Sequence, residues 1–594
     1  EGSLLFWSWL LALFATAVVM RHRRDGPALL GPAISVLMVV ELFFLALVVF
    51  FESPWARSAT IPVDGRGLNP LLQHPAMVFH PPCLYLGFIG MTVPFAFAMA
   101  ALFSRQMGDD WIRKSRPWAV LAWLFLAAGN VLGARWAYVE LGWGGYWAWD
   151  PVENAAFMPW LANTAYLHSV MIQERKGMLK IWNMLLVITA FLLTIFGTFI
   201  TRSGLISSVH SFAQSNIGYL FAGFLVFLAV ISFGLVWARR HDLKSAQQLD
   251  SFFSRESSFL LNNLILLGGA FAVLWGTVFP MVSEAVRGVR LSVGPPFFNQ
   301  IMVPIGLALL ALMGIGPIMA WRRMSARAFF RASRVPLVLG GIAVLILLAL
   351  GVSHAYALVT FSLCAFVLAT IVAEYVSGVR ARRAQSGEPA AVAFLELLRR
   401  APRRFGGYII HAGVVLIFLG FGGAAFNKEH EATLSPGEST DFRGHRLTFN
   451  GLHTRQEAGV DAVGAEVELS RDGEPLARLF PQKNFYPKNQ QMASEVAIHS
   501  NLGRDFYVVL ADYDLQNERA SFKAYFNPLV SWFWIGGIVT VLGGILVLVP
   551  LPRARARARA AGRNATRAAA IWLAALLAAG PAGLGLASAG PGEK

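Results

Sequence analysis

Long apolar segments alternate with short polar ones along residues 1–426. An α-helix needs about 20 apolar residues to cross a bilayer, and these segments are close to that length. They cover residues 3–20, 29–51, 80–103, 118–133, 151–174, 181–200, 218–238, 258–282, 297–321, 335–352, 356–377 and 406–426. With two later segments, the pattern predicts an all-α polytopic membrane protein of about 13 to 14 transmembrane helices, with residues 1–426 as its helical core.

Residues 427–526 follow a different pattern, in which apolar and polar side chains alternate. The alternation is clearest at His445–Phe449, Ala465–Leu469 and Phe506–Leu510, and Asp472-Gly473 supplies a turn signal between such runs. A period of two is typical of strands with one buried face. We therefore predict a small antiparallel β domain here, inserted before the last helix of the core.

Two more apolar segments follow the predicted β domain. Residues 527–550 predict a transmembrane helix. Residues 551–594 begin with a basic tail and contain an Ala- and Gly-rich apolar stretch at 568–589. This stretch is long enough for an extra helix, but its arginine-led start and small-residue end are also typical of a signal peptide.

The basic residues indicate how the helices are oriented. The net charge of +16 is concentrated in short loops such as 21–24, 322–334 and 380–404. Such clusters mark the cytoplasmic side of a membrane protein, and all of them fall on one side of the predicted topology. The charge therefore indicates topology rather than nucleic-acid binding. It places residue 1, the segment 138–160 and the β domain outside.

The two cysteines, Cys83 and Cys364, lie in or beside apolar segments far apart in the sequence. This number excludes a disulfide framework and a cysteine zinc site. Because no Cys-x-x-Cys-His motif is present, the chain is not itself a c-type cytochrome. We expect both thiols to pack among apolar side chains.

Residues 143–154, with the sequence WGGYWAWDPVEN, form what we call the aromatic segment. Rings with a polar edge prefer the membrane–water boundary, so an ordinary aromatic belt is one interpretation. Four rings crowded around a Gly-Gly pair, which lets the backbone turn sharply or approach a flat ligand, are unusual for a belt and favour a binding platform. The rings belong to Trp143, Tyr146, Trp147 and Trp149.

The aromatic segment runs directly into a predicted helix. Asp150 is suited to the N-cap, Pro151 to the first helical position and Glu153 to the third, which together make a capping box. The segment is therefore expected to be held at the start of a transmembrane helix.

Two histidines are predicted to lie at the same depth in the membrane. His168 precedes the basic helix end at Glu174 by six residues, and His411 follows Arg404 by seven. At about 1.5 Å per residue, both lie about 10 Å below the cytoplasmic boundary. Imidazoles in lipid need partners, and a haem iron takes two axial ligands from opposite sides. One hypothesis is a b-type haem ligated by both histidines. The other is a hydrogen bond between each histidine and a neighbouring Ser, Thr or Tyr hydroxyl.

A second pair, His80 and His210, flanks the aromatic segment on the outer side. One haem resting on that segment could be held by both rings, although two solvated loop histidines are the simpler interpretation of the spacing alone. Outer arginines depart from the charge rule, and each could pair with a haem propionate, or with a lipid headgroup or a nearby carboxylate. They are Arg66, Arg135, Arg202, Arg287 and Arg290.

The aromatic segment resembles the tryptophan-rich WWD signature of the haem-handling proteins of cytochrome c maturation. Extended to Trp160, it is similar to the corresponding sequence of the CcmF-type cytochrome c haem lyases. Three further segments agree with that family, namely Gly65–Gln73, Phe79–Pro82 and Arg202–Gly204. The resemblance extends from residue 1 to about residue 550. The family normally carries further helices before this point, so we expect that the sequence lacks them.

The resemblance implies roles for specific residues. His168 and His411 match the family's ligands of an intramembrane haem b, and His80 and His210 match its ligands of a transient substrate haem on the outer face. Arg202 is implied as a further haem-binding residue. The implied catalytic platform consists of Trp143, Trp147, Trp149 and Asp150.

The resemblance also implies a reaction. CcmF-type haem lyases take haem from a periplasmic haem chaperone and form thioether bonds to the Cys-x-x-Cys-His cysteines of apocytochrome c. The intramembrane haem b assists reduction, with quinol as a candidate electron donor. Implied partners are the haem chaperone, apocytochrome c and the thiol-reducing, apocytochrome-holding maturation subunits, for which the β domain is a candidate docking surface. The implied location is the bacterial inner membrane, with multiple spans and the active site on the periplasmic face.

Two other functions fit part of the sequence. A haem transporter that loads a chaperone without ligation activity also uses a tryptophan platform and two outer histidines, but it does not need the second histidine pair or the β domain. A non-catalytic subunit of a respiratory complex has many spans and paired histidines, but it has no use for the aromatic segment.

Overall fold

The computed structural model describes residues 1–549 apart from 58, 62, 66, 205, 207, 209–216, 246–248 and 458. The predicted segment 568–589, His210 and Arg66 therefore lie outside the described residues. The described part of the chain is mostly helical. Its helices are Gly2–His22 (α1), Pro27–Ala46 (α2), His80–Gly90 (α3), Thr92–Ser104 (α4), Asp110–Glu140 (α5), Pro151–Lys176 (α6), Lys180–Ser203 (α7), Gly218–Ala238 (α8), Arg255–Arg287 (α9), Pro295–Ile318 (α10), Ala326–Ala349 (α11), Ala355–Ser386 (α12), Ala390–Arg400 (α13), Pro402–Gly423 (α14) and Val530–Leu548 (α15).

The chain is a multi-pass membrane protein. Twelve helical segments within the described residues are long and apolar enough to cross a membrane, by length and composition. α6 is a further helix of 26 residues, and it packs against α5, α7 and α9. Some of its polar side chains have partners on these neighbours. For example, the buried Asn163 donates through Nδ2 to the carbonyl oxygen of Ala119 in α5 at 3.0 Å.

Some helices extend beyond the apolar segments that predicted them. α5 covers Asp110–Glu140 rather than 118–133, and α12 continues to Ser386 rather than 377. Hydropathy marks only residues suited to hydrocarbon, whereas a helix continues wherever good helix formers follow. For the same reason the basic region after α12, predicted as a loop, contains α13. There Glu396 pairs with Arg399 at 2.6 Å and with Arg400 at 2.7 Å.

Glycines allow α14 and α15 to pack backbone against backbone. A Cβ atom on Gly413 would lie 2.5 Å from the backbone nitrogen of Thr540, and one on Gly536 would lie 2.5 Å from the carbonyl oxygen of Gly413. Close approach through small residues is a common way for membrane helices to associate. The glycines recur every seven residues, as Gly406, Gly413 and Gly420 on α14 and as Gly536 and Gly543 on α15. A neighbouring face of α15, at Gly537 and Gly544, contacts α5.

The β domain lies in sequence between α14 and α15 and consists of two antiparallel sheets. The strands are Lys428–Leu434 (β1), Ser439–Phe442 (β2), His445–Glu457 (β3), Val460–Arg471 (β4), Glu474–Leu479 (β5), Gln482–Tyr486 (β6), Gln491–Glu495 (β7), Ala497–Ser500 (β8), Arg504–Asp514 (β9) and Arg519–Pro528 (β10). One sheet has the strand order β1-β10-β9-β8, and the other has the order β2-β3-β4-β6-β7 with β5 paired to β4.

The alternating pattern correctly located three of these strands, β3, β4 and β9. Alternate side chains of both sheets meet in a common core, to which Phe449, Val467 and Phe506 belong. The predicted turn at Asp472-Gly473 joins β4 to β5, and its two residues have φ angles of 53° and 87°. Two positive φ angles are the conformation that tight hairpin turns require, and Asp-Gly adopts it readily.

Candidate functional site

The imidazole rings of His168 on α6 and His411 on α14 lie close together and nearly parallel. Their centroids are 6.3 Å apart and their planes differ by 11°. A metal-bound imidazole nitrogen lies about 2 Å from its ion, so two rings on opposite sides of one ion have centroids about 6 Å apart. The structure therefore brings this predicted pair together at a distance and angle that fit two axial ligands of one iron.

The hydrogen bonds of the two rings differ. Nδ1 of His168 lies 2.8 Å from the carbonyl oxygen of Thr164. A carbonyl can only accept, so Nδ1 carries the proton and Nε2 carries the lone pair that a metal requires. Nδ1 of His411 is buried with no hydrogen-bond partner in the described part of the chain. Neither Nδ1 atom is therefore hydrogen-bonded to a side-chain hydroxyl, so these two nitrogens do not support the alternative interpretation.

The residues present fit a haem at this position. A buried imidazole nitrogen without a partner is costly in an apolar bundle, and metal ligation by the ring is one way to offset that cost. The planar ring of Phe259 on α9 lies beside His168, with its centroid 5.9 Å away. Both histidine side chains are partly exposed rather than enclosed by protein. An approaching planar ligand can therefore reach the pair from the side.

The aromatic segment is anchored to α6 by the predicted capping box. The backbone nitrogen of Val152 donates to Asp150 Oδ1 at 2.9 Å, and that of Asp150 donates to Glu153 Oε2 at 3.1 Å. Trp149 has a φ of 58°, which is unusual for a residue with a large side chain. Asn154 stabilises this conformation, since its Nδ2 donates to the Trp149 carbonyl oxygen at 3.1 Å.

The rings of the aromatic segment divide between two neighbours instead of forming one flat surface. The rings of Trp147 and Trp149 are nearly perpendicular, at 88°, with centroids 5.8 Å apart. Trp149 stacks on Phe298 of α10 at 5.1 Å. Tyr146 instead stacks on Phe533 of α15 at 4.7 Å. Trp143 is 38% exposed. Positive φ angles at Gly144 and Trp149 turn the backbone between these groups.

The β domain holds the aromatic segment from the other side. Asn527 on β10 donates through Nδ2 to the carbonyl oxygen of Gly144 at 2.8 Å and to the Tyr138 hydroxyl at 3.2 Å. Tyr138 in turn donates to Asp505 Oδ2 at 3.0 Å. Burial raises the pKa of the Asp505 carboxyl above its ordinary value, and hydrogen bonds from Ser500 and Tyr138 offset part of that shift.

Sequence reasoning missed Tyr138, Asp505 and Asn527. They lie on α5, β9 and β10, and hundreds of residues separate the first from the other two. None of them belongs to a local motif. The only local signal is Gly144, which has a φ of 71° and whose Cβ, if present, would lie 2.5 Å from the Tyr525 ring. This glycine allows another segment to approach closely, but the sequence does not identify that segment.

Asn527→Ala is expected to loosen the aromatic segment. Loss of a buried hydrogen bond costs about 1–3 kcal/mol, so amide exchange over residues 142–148 should become about 5- to 160-fold faster. Hydrogen exchange with mass spectrometry on the detergent-solubilised protein measures this. Asn517→Ala, which changes an exposed turn of the same domain, is the matched control. Equal exchange rates in the two variants would contradict the conclusion that Asn527 holds the aromatic segment.

His80 lies in a groove on α5 formed by two glycines. Its Nδ1 is 2.9 Å from the carbonyl oxygen of Gly129, so Nδ1 donates and Nε2 carries the lone pair. A Cβ atom on Gly133 would lie 2.5 Å from Cε1 of the ring. His210 is outside the described residues, but Ser208, two residues before it, donates through Oγ to Asp150 Oδ1 at 2.6 Å.

The outer arginines have several different partners. Arg202, at the end of α7, donates to the Ser3 hydroxyl at the start of α1. The guanidinium of Arg135 lies 5.4 Å from the Trp534 ring. Arg290 pairs with Glu284 at 3.9 Å, which is the carboxylate alternative named above.

Two protein-family models match the chain. One is described as "Cytochrome C assembly protein" and matches residues 1–207. The other is described as "CcmF C-terminal beta-sandwich" and matches residues 425–528. The first match contains the aromatic segment, His80 and His168, and the second coincides closely with strands β1 to β10.

Individual relatives match over most of their length. The chain is 36% identical over 554 residues to cytochrome c-type biogenesis protein CcmF of Haemophilus influenzae, covering 92% of this chain and 84% of the relative. It is 35% identical over 558 residues to CcmF of Escherichia coli K12, covering 92% and 83%. A solved structure of cytochrome c heme lyase CcmF aligns with a TM-score of 0.75 at 30% identity, covering 93% of this chain and 82% of that one.

Proposed function

The chain belongs to the CcmF family of cytochrome c-type biogenesis proteins, and from that premise we propose that it attaches haem covalently to apocytochrome c. The observation that carries the proposal is the facing pair His168 and His411, with centroids 6.3 Å apart. This pair gives a haem-handling role a physical basis within this chain. The aromatic segment and His80 provide a second place for haem on the β-domain side of the bundle.

The proposed reaction needs no nucleophile from this protein. Each thiol of the Cys-x-x-Cys-His segment adds across one vinyl group of the substrate haem, so that a carbon–sulfur bond forms and the thiol proton moves to the other vinyl carbon. The protein contributes orientation, and well-oriented reactants can gain several kcal/mol over free ones. Trp143, Trp147, Trp149 and Asp150 would orient the substrate haem, with His80 and His210 as ligands of its iron and Arg202 at a propionate.

A resident haem b between His168 and His411 would supply electrons that keep the substrate iron reduced. We include quinol as the proposed electron donor because an apolar cavity of about 250 Å³ is lined partly by α6, the helix that carries His168. Ile172, four residues after His168, and Leu260, next to Phe259, line this cavity together with Glu256. An apolar cavity with one acidic group suits a ring with polar oxygens and an isoprenoid tail.

The proposed location is the bacterial inner membrane, with the β domain and the aromatic segment on the periplasmic face. The basic loops at the opposite ends of the helices support that orientation. Proposed partners are a periplasmic haem chaperone, apocytochrome c and thiol-reducing, apocytochrome-holding maturation subunits. The β domain is the proposed docking surface for them, because it contacts the aromatic segment directly.

A reconstituted ligation assay tests the function. The purified protein is mixed with a haem-loaded periplasmic chaperone, a reductant and an apocytochrome, and the product is extracted with acidified acetone. Haem that remains with the apocytochrome is thioether-bound, and an apocytochrome with both motif cysteines replaced is the control. Haem transfer without covalent attachment would instead assign the transporter function. If haem is neither attached to nor transferred to the apocytochrome, the proposal is overturned.

A further inference from the structure

Each histidine of the pair has an arginine seven residues away on its own helix. Arg175 follows His168 by seven residues on α6, and Arg404 precedes His411 by seven on α14. Seven residues advance a helix by about 10 Å and return to within about 20° of the same face. α6 ends near Arg175 and α14 begins near Arg404, so both arginines lie toward the same end of the bundle as seen from the pair.

A third arginine joins them through aromatic contacts. Phe259 lies beside His168, and its centroid is 6.3 Å from that of Trp321. The guanidinium carbons of Arg175 and Arg255 lie 4.8 Å and 5.4 Å from the centroid of the Trp321 ring. Arg255 also lies within electrostatic range of Arg404. The three guanidinium groups therefore surround one region, about two helical turns from the histidines.

This region has an excess of positive charge. Arg404 donates to Glu374 Oε2 at 2.8 Å, and the Tyr408 hydroxyl donates to the same oxygen at 2.7 Å. Among the described residues, neither Arg175 nor Arg255 pairs with a carboxylate, and Nε of Arg255 is buried without a hydrogen-bond partner. A second carboxylate, that of Glu256 beside Arg255, accepts from the backbone nitrogen of Arg322. Three guanidinium groups against two carboxylates leave one positive charge unbalanced. Partly desolvated cations are costly without anionic partners, so the region favours an anionic ligand.

We propose that Arg175, Arg255 and Arg404 bind the two propionate carboxylates of the haem held between His168 and His411. The proposal rests on the proposed function, and it adds the orientation of the cofactor. Both propionates leave the macrocycle on one edge, so the arginines fix which edge faces the basic end of the bundle. Guanidinium groups suit this task because they bind carboxylates through two parallel hydrogen bonds.

The arrangement also favours reduced iron. Positive charge near the macrocycle stabilises the electron added on reduction, and the field acts over this distance because the surroundings are poorly solvated. Arg175→Gln and Arg404→Gln, singly and together, should therefore shift the haem midpoint potential to more negative values. The double variant should show the largest shift, and Arg331→Gln, an exposed arginine on α11 at the same end, should show none.

Redox titration of the purified holoprotein measures these shifts, and a pyridine haemochrome assay gives the haem content of each variant. A second arm identifies the anion. Apoprotein from haem-deficient cells is reconstituted with haem or with haem dimethyl ester, in which both propionates are uncharged. If the arginines bind propionates, the double variant should bind haem more weakly than wild type, and this difference in affinity should largely disappear with the ester. An affinity difference of the same size with both haems would overturn the proposal.

Two further outcomes separate this inference from the proposed function. Haem present in all variants with unchanged midpoints would overturn the propionate site alone. A wild-type protein without b-type haem would overturn the site together with the cofactor assignment. Arg175→Lys and Arg404→Lys keep the charge and guard against misfolding. The lysine variants should keep most of the wild-type haem midpoint potential. They should bind haem more weakly, because an ammonium group lacks the planar pair of N–H donors of a guanidinium group.

Discussion

Alanine at His168 or at His411 is expected to remove b-type haem from the purified protein. Each ring would supply one of the two proposed ligands, and α6 and α14 have no other histidine to replace it. Even indirect damage to a metal site costs about 10- to 100-fold in affinity, and loss of a ligand should cost at least that. The pyridine haemochrome assay should therefore show little haem in either variant.

Chemical rescue makes this prediction sharper. Imidazole added to His411→Ala can occupy the space of the missing ring and should restore part of the haem absorbance, whereas added ethylamine should not. His241→Ala, which changes an exposed histidine after α8, is the control and should keep its haem. An unchanged b-type spectrum in both His168→Ala and His411→Ala would end the ligand assignment.

His80→Ala is expected to stop cytochrome c maturation while leaving the intramembrane haem in place. The two sites are separate, since His80 packs on α5 and the facing pair joins α6 to α14. A misplaced reactant can lose about 100-fold in rate, so covalent cytochrome c in a complemented strain should fall by about that factor. Haem-stained gels measure the product, and the haemochrome assay measures the retained haem.

Gly133→Ala tests the same site without removing the ligand. Its new methyl group would overlap the His80 ring, so the ring must move and maturation should fall, though by less than in His80→Ala. Gly223→Ala is the matched control because nothing lies within 4 Å of its added Cβ on α8. Normal maturation in both His80→Ala and Gly133→Ala would count against haem binding at His80.

Much of the fold follows from local signals. Apolar length located the membrane helices, because hydrocarbon accepts almost nothing else over that thickness. Asp150 and Glu153 correctly predicted the start of α6, because a capping box is contained within four residues. Alternation located strands such as β3, in which His445, Leu447 and Phe449 are buried while Arg446 is exposed. In each case the signal and the structure occupy the same few residues.

The rest depends on contacts between distant segments. Depth placed His168 and His411 at one level, but only the three-dimensional structure shows that their ring centroids lie 6.3 Å apart. The contact of Asn527 with Gly144 joins residues 383 apart in the sequence. Helix periodicity cannot report such contacts. The proposed role of His210 stays a prediction, since that residue is outside the described part of the chain.

The glycine contacts between α14 and α15 have a consequence for biosynthesis. α14 carries His411, yet its closest neighbour begins at Val530, after the whole β domain has been translated. While the ribosome is still making the sandwich, His411 sits on a helix that lacks the backbone surface it packs against. The proposed haem site between His168 and His411 would therefore become complete only after α15, which packs on α14, has been inserted.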